Sequence, residues 1–288
     1  MLGTAQWGGS YGIANVSGEP TDESISQFLT VASAAGVSFL DTAPGYGGAE
    51  KKMGMNDLSA FKIITKVPKL ASVSSDEDKK KALEFYFHRS LNDLNINAAF
   101  GLLFHHAGDL LGDCGGSLLR ALNQFKEEGK LSKVGVSIYS GKEIDAILDV
   151  FLPDIIQVPL NVLDQRLINS GHLKTLHELG VSVHARSVFL QGLLHLPVEE
   201  LPTYFDPIKY LLLEFKEQSA QEGLSVNRAA LTFVRDQPYV DKVLIGVESN
   251  DQLRQAILDF GIDRTFDFQV AGFEDDAFLN PSKWEIRQ

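Results

Sequence analysis

Short apolar runs alternate with longer stretches of helical periodicity along most of the chain. The runs lie near 2–6, 37–41, 61–66, 100–105, 133–137, 154–158, 181–186 and 242–246. They are apolar on both faces, the pattern of parallel strands buried on each side. Between them apolar residues recur every three or four positions, as on one face of a helix. Ile25, Phe28, Leu29 and Ala32 form such a stripe after Thr21, whose hydroxyl can cap a helix with Asp22 and Glu23 in its first turn. Similar stripes are Leu83, Phe87, Leu91, Leu94; Leu118, Leu119, Leu122, Phe125; Ile144, Ile147, Leu148, Phe151; and Leu253, Ala256, Ile257, Phe260. Two further helical stretches fall within 205–236. Eight strands separated by helices, with no antiparallel edge pattern, predict an α/β fold, a (β/α)8 TIM barrel. The tail, 261–288, is irregular and aromatic, carrying Phe266, Phe268, Phe273, Phe278 and Trp284.

Composition narrows the picture. A chain of 288 residues, 44% hydrophobic, suits one barrel of about 250 residues. No Pro/Ser-rich linker divides it, so a single domain over 1–288 is expected. The net charge of −12, without a basic patch or lysine-rich run, argues against nucleic acid and anionic membranes as partners. One cysteine, Cys114, excludes an internal disulfide and suits a reducing compartment. There is no basic-then-apolar leader and no run of about 18 apolar residues. A cytoplasmic location is therefore expected, with no membrane partner.

Chemistry gathers at strand ends. The second run closes on Asp41, and five residues later Tyr46 stands among glycines. The third run ends in Lys66, and the fourth in His105 and His106. Groups at the carboxyl ends of barrel strands face the mouth, where barrel enzymes carry their active sites. A phenol is a poor acid, with a reference pKa of about 10. An ammonium beside it, held by a carboxylate, eases loss of its proton. Taken singly, a Lys–Asp pair, a Tyr beside Gly and a lone His are more often structural; together at successive strand ends they favour catalysis. Neighbouring strand side chains point opposite ways, so only one of the two histidines faces the axis, and apolar residues on both faces leave the choice open. The same geometry speaks against a metal chelated by the pair, and no metal site is expected. Gly8-Gly9-Ser10-Tyr11-Gly12 has the wrong spacing for a Rossmann phosphate loop. A glycosidase would need a second carboxylate opposite Asp41, and none stands out.

Asp41-Thr42-Ala43, Tyr46-Gly47, Glu50 and Gly54 resemble the signature Asp-Thr-Ala-x-x-Tyr-Gly-x-x-Glu-x-x-x-Gly of the aldo-keto reductase family. The similarity extends through Leu2-Gly3-Thr4, Lys133 to Ser137, Gln157 to Asn161, and Leu244 to Val247 with Gln252-Leu253. Gly3 to Gly8 with Tyr11 to Asn15 resembles a bacterial branch, some members of which accompany surface-polysaccharide or nucleotide-sugar pathways.

The resemblance implies an NADP-dependent oxidoreductase, NAD being a second option, that reduces a small-molecule aldehyde or ketone, sugar-derived ones included. In it Tyr46 is the general acid, Lys66 the cation beside it, and Asp41 the partner of the lysine. His105, selected over His106 by the alignment, orients the substrate oxygen. Implied cofactor positions are Gly3, Thr4 and Ala5; Ser137 and Gln157 at the nicotinamide carboxamide; Arg186 at a stacking position; Ser187, Phe189 and Gln191 around the pyrophosphate; and Gly246 and Gln252 near the adenosine. The chain departs from the family at Ile138, where asparagine is usual. It also has Gly246 and Gln252 where lysine and arginine often grip a 2′-phosphate, and Ala256 where asparagine often holds adenine. A lost charge-assisted hydrogen bond removes about 1.5–3 kcal/mol, so NADPH is expected to bind only modestly tighter than NADH, with Arg254 a candidate substitute cation. Trp7, Tyr11, Phe189 and Trp284 are candidates to line a substrate cavity. The tail is expected either to close over the mouth or to cover apolar surface elsewhere. A reading of another class is a non-catalytic sensor or regulatory protein on the same fold; oligomeric state stays open.

Overall fold

The structure is a computed structural model that describes residues 1–70, 75–263, 265–266 and 268–284. Nine parallel strands are described: β1 (Leu2–Gly3), β2 (Phe39–Asp41), β3 (Lys62–Val67), β4 (Ala99–Phe104), β5 (Leu131–Ser137), β6 (Ile155–Pro159), β7 (Ser182–Arg186), β8 (Lys242–Val243) and β9 (Ile245–Gly246). Strands β1 to β8 lie side by side in chain order, and β9 returns to β1. β8 and β9 are the two halves of the run expected at 242–246. Lys242 and Val243 pair with His184 and Ala185, whereas Ile245 and Gly246 pair with Leu2 and Gly3. By changing partner at Leu244 the eighth strand closes the sheet on itself, giving the (β/α)8 barrel.

Side-chain alternation sorts the residues into two sets. Ile64, Leu103 and Ile155, with Met1, Phe39 and, out of step with Leu103 near the start of β4, Phe100, fill the barrel interior. The intervening residues, such as Leu40, Ile63, Leu102, Val134 and Ile156, pack outward in two larger clusters. The helices match the stripes read from the sequence. Asp22–Ala34 starts under a Thr21 side chain that accepts from the Ser24 amide, and it buries Ile25, Phe28, Leu29 and Ala32. Asp76–Asp93 buries Leu83, Phe87 and Leu91; Gly115–Glu127 buries Leu118, Leu122 and Phe125. Burying one such side chain contributes about 1.5–3 kcal/mol. The stripes fade at their ends, where Phe151 lies past the helix Gly141–Leu148 and Phe260 is exposed. Asp206–Gln221 and Val226–Arg235 are the two helices expected within 205–236. Among the described residues no helix is long and apolar enough to cross a membrane.

Expectations for the first strand, for Trp7 and for the tail need correction. The first strand stops at Gly3, because the Trp7 amide turns back onto the Thr4 carbonyl and a 3-10 turn, Ala5–Gly8, follows. That turn tucks Trp7, wholly buried, against Phe28, so Trp7 is core and not cavity wall. The tail serves both roles proposed for it. Phe268 packs on Phe215 and Phe233, and Trp284 packs edge-on against Phe205. Pro281 and Ser282 alone reach the mouth from the described tail, so Trp284 covers apolar surface away from it. Residues 264, 267 and 285–288 of the tail lie outside the described residues.

Candidate active site

The interior series continues two residues at a time to the carboxyl ends of the strands. Phe39 leads to Asp41, Ile64 to Lys66, Leu103 to His105, Ile155 to Gln157 and His184 to Arg186, and Ser137 arrives from β5. These ends open on a groove of about 930 Å³, the size of a pocket for a small molecule or cofactor. The parity resolves the paired histidines: His105 lines the groove, whereas His106 is exposed outside it.

Asp41 is 1% exposed and Lys66 2%. One Asp41 oxygen accepts from Lys66 Nζ and the other from Gln157 Nε2. Lys66 Nζ also donates to the Thr42 carbonyl at 3.2 Å and to Tyr46 Oη at 3.4 Å. Such extra bonds are what allow a buried ion pair to offset its desolvation. Burial pushes the Lys66 ammonium below its ordinary value, and Asp41 opposes that shift. The phenol of Tyr46 moves the other way: burial raises it, the Asp41 charge adds to the rise, and Arg186 works against it. Burial is the largest of these causes, so the enclosed setting favours the protonated phenol. His105 meets Tyr46 edge-on, ring centroids 5.8 Å apart. Burial, then the Lys66 and Arg186 charges, push its imidazole down to about 3.

Tyr46 is positioned by backbone contact. A Cβ at Gly8 would lie 1.7 Å from the Tyr46 carbonyl, and one at Gly47, with φ of +57°, would lie 2.0 Å from the Gly8 carbonyl. Only glycine lets the first and second loops meet there. Behind them the buried Glu50 accepts from Thr65 at 2.6 Å and Ser90 at 3.1 Å, tying the helix Ala49–Gly54 to β3 beside Lys66.

Arg186 stacks over the Tyr139 ring at 4.3 Å. It donates to Ser137 Oγ at 3.3 Å, the Ile138 carbonyl at 2.9 Å and Ser187 Oγ at 3.1 Å. Ile138 thus contributes its backbone, while its side chain joins the core. In the following loop Ser187, Leu190 and Gln191 have φ of 63°, 47° and 53°, conformations that non-glycine residues seldom adopt. The buried Asn161 donates to the Ser187 carbonyl at 3.1 Å, and the Ile13 amide to the Gln191 carbonyl at 3.1 Å.

Every position expected to take part in catalysis or cofactor binding borders the groove: Gly3, Thr4, Ala5, Asp41, Tyr46, Lys66, His105, Ser137, Gln157, Arg186, Ser187, Phe189, Gln191, Gly246 and Gln252. So do Tyr11 and Ala256. The sequence reading missed Gln6, Tyr139, Asn227, Glu248, Asp251 and Gln255. Asp251 and Gln255 stand one turn apart on the same helix, a spacing visible in the sequence. Asn227 had no signal, since its helix Val226–Arg235 precedes the last strand. Among the described residues no three of His, Cys, Asp and Glu come together to hold a metal ion.

The aldo/keto reductase family model matches residues 1–263, and the chain belongs to that family. Its fold is similar to a thermostable aldo-keto reductase solved with the inhibitor epalrestat, at 20% identity and a TM-score of 0.70, covering 92% of this chain and 90% of that one. An aldo-keto reductase from Bacillus halodurans, in its holo form, gives 20% identity and 0.70 over 95% of this chain and 93% of that one. A protein of Pseudomonas aeruginosa assigned to the aldo-keto reductases gives 20% and 0.65 over 90% and 88%. No curated protein matches. Family membership makes the chain an oxidoreductase that uses NAD(P)H on small-molecule carbonyls.

Proposed function

We propose that this chain reduces an aldehyde or ketone to an alcohol, with Tyr46 delivering the proton. The observation that carries this reading is the buried series Asp41, Lys66, Tyr46 opening onto a groove that His105 also borders. A reduced nicotinamide dinucleotide supplies the hydride when bound. Gln157 tests whether the groove suits it. Its Nε2 is committed to Asp41, while its Oε1 is buried without a partner. Buried acceptors rarely go unpaired, and a carboxamide N–H2 is the donor this one lacks. Thr4, Ser187 and Gln191 border the groove where the dinucleotide's middle would lie.

The protein's own groups manage the proton. A carbonyl oxygen set before Tyr46 accepts from the phenol and from the neutral imidazole of His105, which fixes its orientation. As the C=O bond opens, the oxygen takes the phenolic proton. The Lys66 ammonium steadies the phenolate left on Oη, and Asp41 keeps that ammonium in place. Arg186 adds positive potential at the same point. Sugar-derived carbonyls fit the polar rim of Tyr11, Tyr139 and Gln191.

Turnover of a generic aldehyde by the purified chain tests the proposal. Tyr46→Phe should lower the rate by about 10²–10⁴, the usual weight of a general acid. An unchanged rate would exclude Tyr46 from that role. Dinucleotide binding without turnover of any carbonyl would favour the regulatory reading.

A further inference from the structure

We infer that the groove selects the dinucleotide without a 2′-phosphate, NADH, over NADPH. This rests on the reductase reading, which sets the nicotinamide at Tyr46 and Gln157 and hence the adenosine at the groove's other end. That end is built from the start of the helix Asn250–Gly261 and from Asn227. Charge is divided between the ends. The cations that border the groove among the described residues, Lys66 and Arg186, both stand by Tyr46, whereas Glu248 and Asp251 line the far end.

The amides there turn acceptors toward a ligand too. Asp259, itself buried, takes an N–H from Asn227 at 2.6 Å and from Gln255 at 2.9 Å. Each amide nitrogen therefore faces Asp259 and each amide oxygen faces away. A helix start ordinarily favours an anion, but this one is partly capped and carries an acid of its own. Ser249 Oγ accepts from the Gln252 amide at 3.2 Å, Gln252 Oε1 accepts from the Glu248 amide at 2.7 Å, and Asp251 brings its own charge to the first turn. Arg254, the candidate substitute cation, is exposed and does not border the groove. Acceptors and carboxylates suit a ribose whose 2′ and 3′ hydroxyls donate. A phosphate monoester carrying a charge of about −1.5 to −2 would face two carboxylates instead.

Calorimetric titration of the full chain with NADH and with NADPH decides the matter without reference to turnover. NADH should bind about tenfold tighter or more, the size of unit-charge repulsions near contact in water. The gap should narrow as salt rises, because exposed charges are screened over about 10 Å at 0.1 M. Glu248→Gln with Asp251→Lys should close or reverse it, and Asp251→Asn alone should move it the same way by less. NADPH binding as tight as NADH in the parent chain would overturn the inference and leave the reductase reading standing. Failure of both dinucleotides to bind would overturn the reductase reading itself.

Discussion

The two ends of the groove hold their charges in opposite ways. Around Tyr46 the ions are sealed in: Asp41 and Lys66 are both below 3% exposed and saturate each other. At the start of the helix Asn250–Gly261, Glu248 is half-buried and Asp251 exposed, and both border the groove. Buried charges must spend themselves on partners within the protein. Rim charges stay free to act on whatever enters. On the proposed reading, one end holds a proton in place and the other sorts ligands.

The sharpest way to break this contrast is to delete a carboxylate at each end. Asp41→Ala strands Lys66 and the Gln157 amide in the interior and should cost about 3–5 kcal/mol of stability. Asp251→Ala should change stability by less than about 0.5 kcal/mol. Urea unfolding of both variants measures the difference, and equal losses would refute it. Next comes the contact that sets Tyr46. Gly8→Ala forces the loops apart, with a loss of about 1–3 kcal/mol and a fall in turnover on the order of 10²-fold if Tyr46 shifts by about 1 Å. Unaltered kinetics would show that Tyr46 is placed by something else. The smallest effect is one of pH. His105 and His184 titrate at about 3 and about 4 in the fold, burial being the main cause in each, against 6.5 for the unperturbed group. In acid the unfolded chain therefore takes up protons first. Their contribution to stability is complete above pH 6.5 and drains away as pH falls toward those folded-state values. Between pH 7 and about 5.5 each should account for about 1 kcal/mol. Urea unfolding of His184→Gln should show a shallower slope over that interval; an identical slope would rule its share out.

Much of this was legible in the sequence. Strand ends carrying Asp41, Lys66 and His105, and the spacing to Tyr46, are local features that a barrel turns inward together. The cofactor positions were reached through the family signature, and all of them border the groove. What stayed hidden depends on distant contacts. The early end of β1 follows from Trp7 finding Phe28, and the divided last strand from having two neighbours to satisfy. Periodicity alone could not separate His105 from His106 while both faces looked apolar; the family match chose His105. Gly101 was the unused clue, since a Cβ there would touch Ile64 and Ile155 in the interior, and His105 shares its parity. The upward push on the Tyr46 phenol comes first from burial, and the sequence names the ammonium neighbour without showing how deeply the ring is enclosed.

The loop after β7 has a practical bearing on engineering. Ser187, Leu190 and Gln191 are twisted into left-handed backbone conformations that cost of order 1–3 kcal/mol each, so the segment would not hold this shape alone. It is braced from below by Asn161 and from across the mouth by Ile13, neither of which borders the groove. Grafting one of these loops from a relative without its braces would import a spring with no frame, and the three belong together as a single module.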